Sequence, residues 1–349
     1  MANDLVSLND IPGYAALVAE LEKRLFESVK SWEDFEWRFL RGIGLAANTY
    51  SNMRSGLKQF FDSYLRMRFS PFRVTAEMIE AYYDFEMQRN SAQTASTRIS
   101  QLRRFFTRFC ADYPICKNPF VGMDSRLVQK FAQPRHVPTE KRFLRRSELE
   151  MLFEYLRRLG ETEPWLYFMM VLTKFLFFTG LRVGETIQLR FKDLERFNDS
   201  DGKWKWRCWF IPKGGRDFTF QKMPESCYRE VVEMHRRRFK RDPLPDDIVW
   251  PAPSPRYYKS SKRKSPRLSG PEAAGLYQDL TKLVNESGLF DFKVKLHPHF
   301  FRHNLAMYLR TECKWDARDI QLILRHTSLD TTTVYYFHDH ARDAEEFEF

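Results

Sequence analysis

Apolar residues recur every three or four positions along much of the chain, which is the spacing of amphipathic helices. The pattern predicts a helix over Tyr14 to Phe26 and a succession of helices from about 33 to 118. Thr75 is expected to cap one of these helices, and Ser147 is expected to cap the first helix of a later region. The 14 residues Trp165 to Phe178 are nearly all apolar, and so short a run predicts a buried helix rather than a membrane span.

One region follows a different pattern. The segment from Trp204 to Phe220 alternates and contains the turn sequence Lys213-Gly214-Gly215, so it predicts a β-hairpin. Gly180, which directly follows the apolar helix, is expected to end that helix in the left-handed conformation. The predicted fold class is therefore mainly α, with a small β-sheet or hairpin inside a mixed α/β domain.

The length of 349 residues suggests two domains. Residues 120–142 contain Gly122, Pro134 and Pro138 with little apolar periodicity, which is typical of an extended linker. The predicted order is a helical extension at 1–32, a helical domain at 33–119, the linker at 120–142, a mixed α/β domain at 143–336 and an acidic tail at 337–349.

The charge is positive and unevenly distributed. The formal net charge is +11, and residues 201–270 hold 18 Lys and Arg against 8 Asp and Glu. A concentrated basic surface predicts a polyanionic partner, most simply nucleic acid, while charge alone also fits an ordinary solvated surface. The candidate DNA contacts are arginines of one predicted helix and basic residues of an exposed loop: Arg98, Arg103, Arg104, Arg108, Arg256, Lys259, Lys262, Arg263, Lys264 and Arg267.

The end of the chain has the opposite charge. The segment from His338 to Phe349 contains five acidic residues and ends with Phe347 and Phe349. DNA would repel such a tail, and its aromatic side chains favour an apolar pocket, so the tail is predicted to bind protein. A frayed terminus without a function is the alternative.

Other features limit the class of protein. The five cysteines are scattered and never spaced as CxxC, so neither a disulfide scaffold nor a cysteine-rich zinc site is expected. No basic region leads into an apolar run at the N-terminus, and a cytoplasmic, nucleoid-associated protein is expected. The sequence has no GxxxxGK[ST] loop and no convincing metal-ligand spacing, so no cofactor and no metal are expected.

A set of residues in the second domain suits phosphodiester chemistry. A phosphodiester attacked by a phenol develops charge on its non-bridging oxygens, and arginine forks match those oxygens. A lysine can protonate the leaving alkoxide, and a tyrosine, with a reference pKa of ~10, requires activation before it acts as a nucleophile. Pro298 suits a first helical turn, which would place two of the residues on one helix face. The set is Arg182, Lys213, His299, Arg302, His326 and Tyr335.

Over about residues 33–340 the chain resembles the tyrosine recombinase (phage integrase) family. The resemblance lies in the ordered Arg, Lys, His-x-x-Arg-His, and His followed nine residues later by Tyr. It implies a helical core-binding domain at 33–119, a catalytic domain at 143–336, and site-specific cleavage and rejoining of DNA without metal or ATP. It further implies a homo-tetramer assembled on duplex DNA with paired half-sites, and it allows for accessory DNA-bending proteins.

The resemblance also implies a role for each member of the set. Two arginines would hold the scissile phosphate, a lysine would protonate the leaving 5′ oxygen, two histidines would act as acid/base and transition-state donor, and a tyrosine would form a 3′-phosphotyrosyl link. In that order these residues are Arg182 and Arg302, Lys213, His299 and His326, and Tyr335, with Glu185 in a supporting role.

The sequence departs from the family pattern at one point and leaves a choice at another. Arg325 stands where the family usually has glycine, in a turn expected to be left-handed, which arginine adopts at a cost of ~1 kcal/mol. Tyr336 competes with Tyr335 for the role of nucleophile, and the spacing from His326 favours Tyr335. His297 and His303 are expected to have structural roles.

Other classes of protein fit parts of this pattern. A type IB topoisomerase and a telomere resolvase use the same chemistry with a different outcome, and a non-catalytic DNA-binding relative is a further alternative. The complete set of six residues argues against the non-catalytic alternative. The separate helical domain and the position of Tyr335 close to the end of the chain argue against the topoisomerase.

Overall fold

The chain forms two compact units, residues 1–139 and 140–349. The computed structural model describes residues 12–41, 47–66, 70–114, 116–123, 125–132, 143–200, 202–212, 215–253 and 267–325. The boundary between the units falls near the end of the region predicted as a linker. Each unit contains its own apolar core.

The described part of the first unit is helical. One helix continues as a π-helical segment at Gln59–Tyr64, and a 3-10 turn covers Pro71–Arg73. The α-helices are α1 (Tyr14–Ser28), α2 (Trp32–Phe39), α3 (Ala47–Lys58), α4 (Ala76–Arg89), α5 (Ala92–Asp112) and α6 (Ser125–Ala132).

The core of the first unit is mainly aromatic. The buried face of α5 follows the predicted helical spacing and places Phe105 against Phe35 and Phe61, with ring centroids 5.8 and 5.6 Å away. The predicted cap of α4 is confirmed, because the Thr75 hydroxyl accepts a hydrogen bond from the amide of Met78 at 3.4 Å.

Helix α6 differs from the predicted extended linker. Phe131 is buried and its ring lies 5.1 Å from that of Tyr83, while Lys130 forms ion pairs with Glu80 and Asp84 on α4, both at 2.9 Å. These contacts join residues about 50 positions apart, so periodicity within the segment could not reveal them. Tertiary contacts, not local propensity, stabilise this short helix.

The second unit combines helices with a small sheet. A 3-10 turn at Phe191–Asp193 leads into the first strand. The helices are α7 (Arg146–Leu159), α8 (Pro164–Thr179), α9 (Val183–Thr186), α10 (Glu225–Phe239), α11 (Gly270–Glu286), α12 (Pro298–Thr311) and α13 (Ala317–Leu324), and the strands are β1 (Leu194–Asn198), β2 (Trp204–Phe210) and β3 (Thr219–Met223).

The predicted apolar helix is α8, and it is buried on nearly every face in the core of the second unit. It ends as predicted, since Gly180 has a φ of 59°. A Cβ atom at this position would lie 2.8 Å from the Cδ2 of Leu305, so glycine is required for close packing as well as for the turn. No helix within the described ranges is long and apolar enough to span a membrane.

The sheet is antiparallel, in the order β1-β2-β3. Strands β2 and β3 confirm the predicted hairpin, with Trp206 opposite Met223, and β1 adds a strand that the sequence pattern did not predict. The mainly α fold class with a small sheet is therefore confirmed. Residues 213–214 of the hairpin connection lie outside the described residues.

The predicted cap of the first helix of this unit was wrong. Helix α7 starts at Arg146, with Arg145 rather than Ser147 at the N-cap. The Glu148 carboxylate accepts a hydrogen bond from the amide of Arg145 at 2.7 Å. A carboxylate three residues into the helix thus provides the acceptor near the N-terminus, and the serine hydroxyl is not needed there.

Candidate active site

Arg182 lies at the N-cap of the short helix α9, just after the left-handed turn at Gly180. The buried carboxylate of Glu185 accepts hydrogen bonds from the Arg182 amide at 2.9 Å and from its Nη1 at 3.1 Å. Glu185 is only 5% exposed, so its charge is held in a protected position. One carboxylate thus fixes both the backbone and the guanidinium of Arg182.

Arg302 is 3% exposed, which is unusual for an arginine. Its Nη1 donates to the carbonyl of Gly180, and its Nη2 donates to the carbonyl of Leu324. These carbonyls lie at the C-terminal ends of α8 and α13, where carbonyls lack helical partners and carry the negative end of the helix dipole. Arg302 therefore joins α12 to the ends of two other helices, and its charge is compensated by their dipoles.

The start of α12 agrees with the sequence prediction. Pro298 occupies the first turn, and Nδ1 of His297 accepts a hydrogen bond from the amide of Phe300 at 3.1 Å, so His297 is a capping residue. His299 lies in the first turn and is exposed, one turn before the buried Arg302. The helix N-terminus provides a positive potential next to His299, which suits a group that binds a phosphate.

Asn304 anchors the same helix. Its Oδ1 accepts a hydrogen bond from the amide of Leu144 at 2.7 Å, and its Nδ2 donates to the carbonyl of Phe300 at 2.8 Å. The side chain is buried, so both bonds are protected from water. The first turns of α12 are thereby fixed to the segment that precedes α7.

Arg325 enters the site from the C-cap of α13. Its φ of 52° and ψ of 48° confirm the expected left-handed turn, at a cost of ~1 kcal/mol for a residue with a Cβ. Its Nη2 lies 3.5 Å from Oε2 of Glu185, and its Nη1 donates to Oε1 of Gln221 on β3 at 2.7 Å. Burial lowers the pKa of the Arg325 guanidinium, Glu185 counteracts that shift, and Arg182 adds to it.

Of the predicted catalytic set, the structure describes Arg182, His299 and Arg302. It brings Arg182 and Arg302 to one loop, since Arg302 binds the Gly180 carbonyl two residues before Arg182. Sequence reasoning did not identify Gln221, because a glutamine in an alternating strand carries no signal of its own. The remaining members, Lys213, His326 and Tyr335, and the competitor Tyr336, lie outside the described residues.

The predicted DNA contacts on α5 have different environments. Arg98 forms an ion pair with the fully buried Glu86, so its charge is compensated within the first unit and it does not fit the expected outward contact. Arg103, Arg104 and Arg108 are exposed, as a contact with the DNA backbone requires. The three exposed arginines remain predicted DNA contacts.

Only one member of the predicted basic loop lies within the described residues. Arg267 is bonded to Gln188 through its Nη1, and burial lowers the pKa of its guanidinium, with Arg190 adding to the shift. The other members, outside the described residues, are Arg256, Lys259, Lys262, Arg263 and Lys264. Within the ranges that the structure covers, no group of three or more His, Cys, Asp or Glu side chains is arranged to hold a metal ion.

The chain thus has a helical unit followed by a mixed unit in which two arginines are fixed beside one loop. Residues 142–342 match the sequence profile of the Phage integrase family, more than half of the chain. The chain belongs to this family, and it is a tyrosine recombinase that acts in site-specific DNA recombination.

Similar proteins support the same assignment. The chain is 29% identical over 317 residues to the tyrosine recombinase XerC of Bacillus licheniformis, which covers 88% of this chain and 83% of that protein. It is 26% identical over 296 residues to the tyrosine recombinase XerD of Shewanella oneidensis, covering 84% and 86%. The crystal structure of the XerH site-specific recombinase bound to its difH substrate in a pre-cleavage complex shares the fold, with a TM-score of 0.63, 18% identity, and coverage of 100% of this chain and 92% of that one. These relatives do not favour the topoisomerase, resolvase or non-catalytic alternatives.

Proposed function

We propose that Arg182, Arg302 and His299 bind and stabilise the scissile phosphate while Tyr335 attacks it. The observation that supports this proposal is the attachment of Arg302 to the Gly180 carbonyl, beside the loop that carries Arg182. Two planar cations fixed at one place suit the oxygens of a pentacoordinate phosphate, because fixed donors need no reorganisation when charge develops.

The proton transfers require the other members of the set. Tyr335 must lose its phenolic proton as its oxygen bonds to phosphorus, and the leaving 5′ oxygen must gain a proton. We assign the second proton to Lys213 on the hairpin connection, and assign His326 as a further donor to the phosphate. The product is a 3′-phosphotyrosyl link, which conserves the energy of the phosphodiester, so religation requires no ATP.

We propose that the reaction proceeds without a metal ion. The positive charge that metal-dependent nucleases take from divalent cations is supplied here by Arg182, Arg302, Lys213 and the histidines. The leaving group receives a proton rather than a metal ligand.

The proposed partner is duplex DNA with paired half-sites, bound at the nucleoid. Exposed arginines of α5 and the basic loop would bind phosphates, which position the protein on the duplex. Structures of similar fold include the Tn1549 transposon integrase in complex with circular intermediate DNA and a lambda integrase dimer bound to a core site, which supports this proposal. Accessory DNA-bending proteins are compatible with it.

Strand exchange between two duplexes with two half-sites each requires four protomers, and we propose that the acidic tail joins them. A groove of about 410 Å³ lies among α7, α8 and α12, and its lining combines aromatic side chains, such as Phe153 and Phe178, with ion pairs, such as that of Arg157 with Glu154. Phe347 and Phe349 at the end of the tail have the chemistry to bind such a groove on a neighbouring subunit.

A covalent-capture experiment tests the proposed chemistry. A pool of nicked duplexes with randomised inverted repeats is incubated with the protein in EDTA, and adducts stable to SDS are isolated. We expect a tyrosine-linked strand with the protein on the 3′ phosphate, and release of a fragment with a 5′ hydroxyl. Adducts that form only after magnesium is added, or a protein linked to a 5′ phosphate, would contradict the proposal.

A further inference from the structure

Arg325 has a left-handed backbone conformation that arginine seldom adopts, and its side chain is more buried than those of the other left-handed residues. Among the described residues, left-handed non-glycine positions are Arg66, Lys240, Lys314 and Arg325. The first three are exposed, whereas the side chain of Arg325 is 17% exposed. A strained backbone with an inward-facing charge persists only when the surrounding contacts hold it there.

The contacts of Arg325 extend to three elements of the second unit. Its guanidinium donates to Gln221 on β3, lies 3.5 Å from Glu185 on α9, and has its Cζ 4.7 Å from the centre of the Phe210 ring on β2. Strands β2 and β3 are joined by the connection that contains Lys213. One side chain therefore links the hairpin to α9, the helix that has Arg182 at its N-cap.

Glu185 lies between two guanidinium groups. Its Oε1 accepts from Nη1 of Arg182, and its Oε2 accepts from the Arg182 amide and lies near Nη2 of Arg325. A carboxylate held from both sides has less freedom to rotate than one with a single partner. The orientation of Arg182 is thus coupled to Arg325 through one buried group.

The backbone around Arg325 is fixed as well. The preceding carbonyl, that of Leu324, accepts from Nη2 of Arg302, and the Arg325 amide donates to the carbonyl of Leu322 at 3.1 Å. The C-terminal end of α13 is therefore held in place by Arg302 and by the Arg325 backbone.

We propose that Arg325 is a positioning residue of the recombination site. It orients Arg182 through their shared carboxylate, Glu185. A glycine would accept the left-handed turn with less strain, but it would remove the guanidinium that lies beside Glu185 and the hydrogen bond that Arg325 donates to Gln221. The arginine side chain thus supports catalysis, although its backbone is strained in the left-handed conformation.

The test compares Arg325→Gly with Lys240→Gly in the full-length protein. Lys240 is also a left-handed C-cap residue, with a φ of 55°, but it is exposed, so its substitution isolates the backbone effect. Single-turnover formation of the covalent adduct is measured on a captured suicide substrate at saturating DNA, together with DNA affinity and thermal unfolding. We expect Arg325→Gly to slow adduct formation about ten- to hundredfold with DNA affinity within about threefold, and Lys240→Gly to react at the wild-type rate.

A double-mutant cycle separates positioning from a general structural role. In Glu185→Ala, or in Glu185→Gln if the alanine variant does not fold, the further change Arg325→Gly should slow adduct formation by only about twofold, because the coupling passes through that carboxylate. Additive losses would overturn the proposal. A wild-type rate of adduct formation in Arg325→Gly would also overturn it. So would a slower rate that returns to the wild-type value at temperatures where the variant is fully folded.

The inference rests on the proposed role of Arg182, and the wild-type protein distinguishes the two failures. If the wild-type protein forms no adduct, both the site assignment and this inference are wrong. A normal adduct from the wild type and an equally fast one from Arg325→Gly would overturn only the inference.

Discussion

The guanidinium of Arg302 donates to the main-chain carbonyl of Gly180, although the two residues are 122 positions apart in the sequence. This bond brings helix α12, which carries His299 in its first turn, against the loop that carries Arg182. The arginine that we propose as a phosphate ligand thus also has a structural role, because it donates to a buried carbonyl at a helix end.

Arg302→Lys should therefore reduce both stability and catalysis. Lysine lacks the planar fork, so at least one buried carbonyl loses its donor, and we expect the free energy of unfolding to fall by about 1 to 3 kcal/mol. Adduct formation should fall at least about a hundredfold at a temperature where the variant is fully folded. Urea unfolding and single-turnover assays measure the two effects. Arg310→Lys, later on the same helix, is the control, and equal effects of both changes would contradict the prediction.

Tyr335→Phe should bind a captured duplex normally and form no covalent adduct. The change removes only the phenolic hydroxyl that we propose attacks phosphorus, so the other groups that bind DNA are unchanged. Tyr336→Phe is the matched control and should retain activity. Gel shift measures DNA binding, and SDS-resistant complexes on a suicide substrate measure adduct formation. An adduct from Tyr335→Phe would show that another residue is the nucleophile.

Neutralising Lys262 and Lys264 in the basic loop should weaken binding to all sequences alike. When phosphate contacts are lost, DNA binding releases fewer counterions, so the slope of log K against log salt should flatten by roughly 1 to 2 units. A control double variant, Arg229→Gln with Lys282→Gln, removes two charges that already have acidic partners on their own helices. An unchanged slope in the loop variant would show that the loop is an ordinary solvated surface.

Deletion of residues 345–349 should leave binding to a single half-site intact and reduce cooperative assembly and recombination. The deletion removes Phe347 and Phe349, the aromatic residues proposed to bind a neighbouring subunit. Gel mobility on DNA with one, two and four half-sites provides the measurement. A milder variant, Phe347→Ser with Phe349→Ser, keeps the tail acidic and should have the same effect. Unchanged cooperativity and recombination would show that the tail is dispensable.

Asp247 should make the second unit sensitive to acid. Its carboxylate accepts hydrogen bonds from Nη1 and Nη2 of Arg241 at 2.6 and 2.9 Å, and this pairing lowers its pKa to about 2. Because the pKa is lower in the folded state, the stabilisation is present above pH ~4 and is lost as the pH falls toward ~2. Asp247→Asn should lower the free energy of unfolding at pH 7 by about 1 to 2 kcal/mol and converge with the wild type in acid.

Urea unfolding at a series of pH values measures this effect. Asp246→Asn is the neighbouring control, because Asp246 is exposed and its pairing with Lys192 is screened by water. A constant difference between Asp247→Asn and the wild type over the whole acid range would contradict the assignment.

The sequence alone determined the helical character of the chain, the buried helix α8, the left-handed turns at Gly180 and Arg325, and the caps at Thr75 and His297. Each of these depends on neighbouring residues: a repeat of apolar positions, a residue without a Cβ, or a side chain that bonds an amide two or three residues away. The identities of Arg182, His299 and Arg302 as site candidates also came from their order and spacing.

Only the tertiary structure decided which groups hold those residues in place. Helix α6 is stabilised by contacts with α4, Arg98 is neutralised by the buried Glu86, and Gln221 reaches Arg325 from a strand about 100 positions earlier. Burial and long-range hydrogen bonds are properties of the folded chain, and no local periodicity encodes them. Chemistry was therefore readable from residue types in the sequence, whereas the orientation of Arg182 by Glu185 and Arg325 depends on packing of elements distant in sequence.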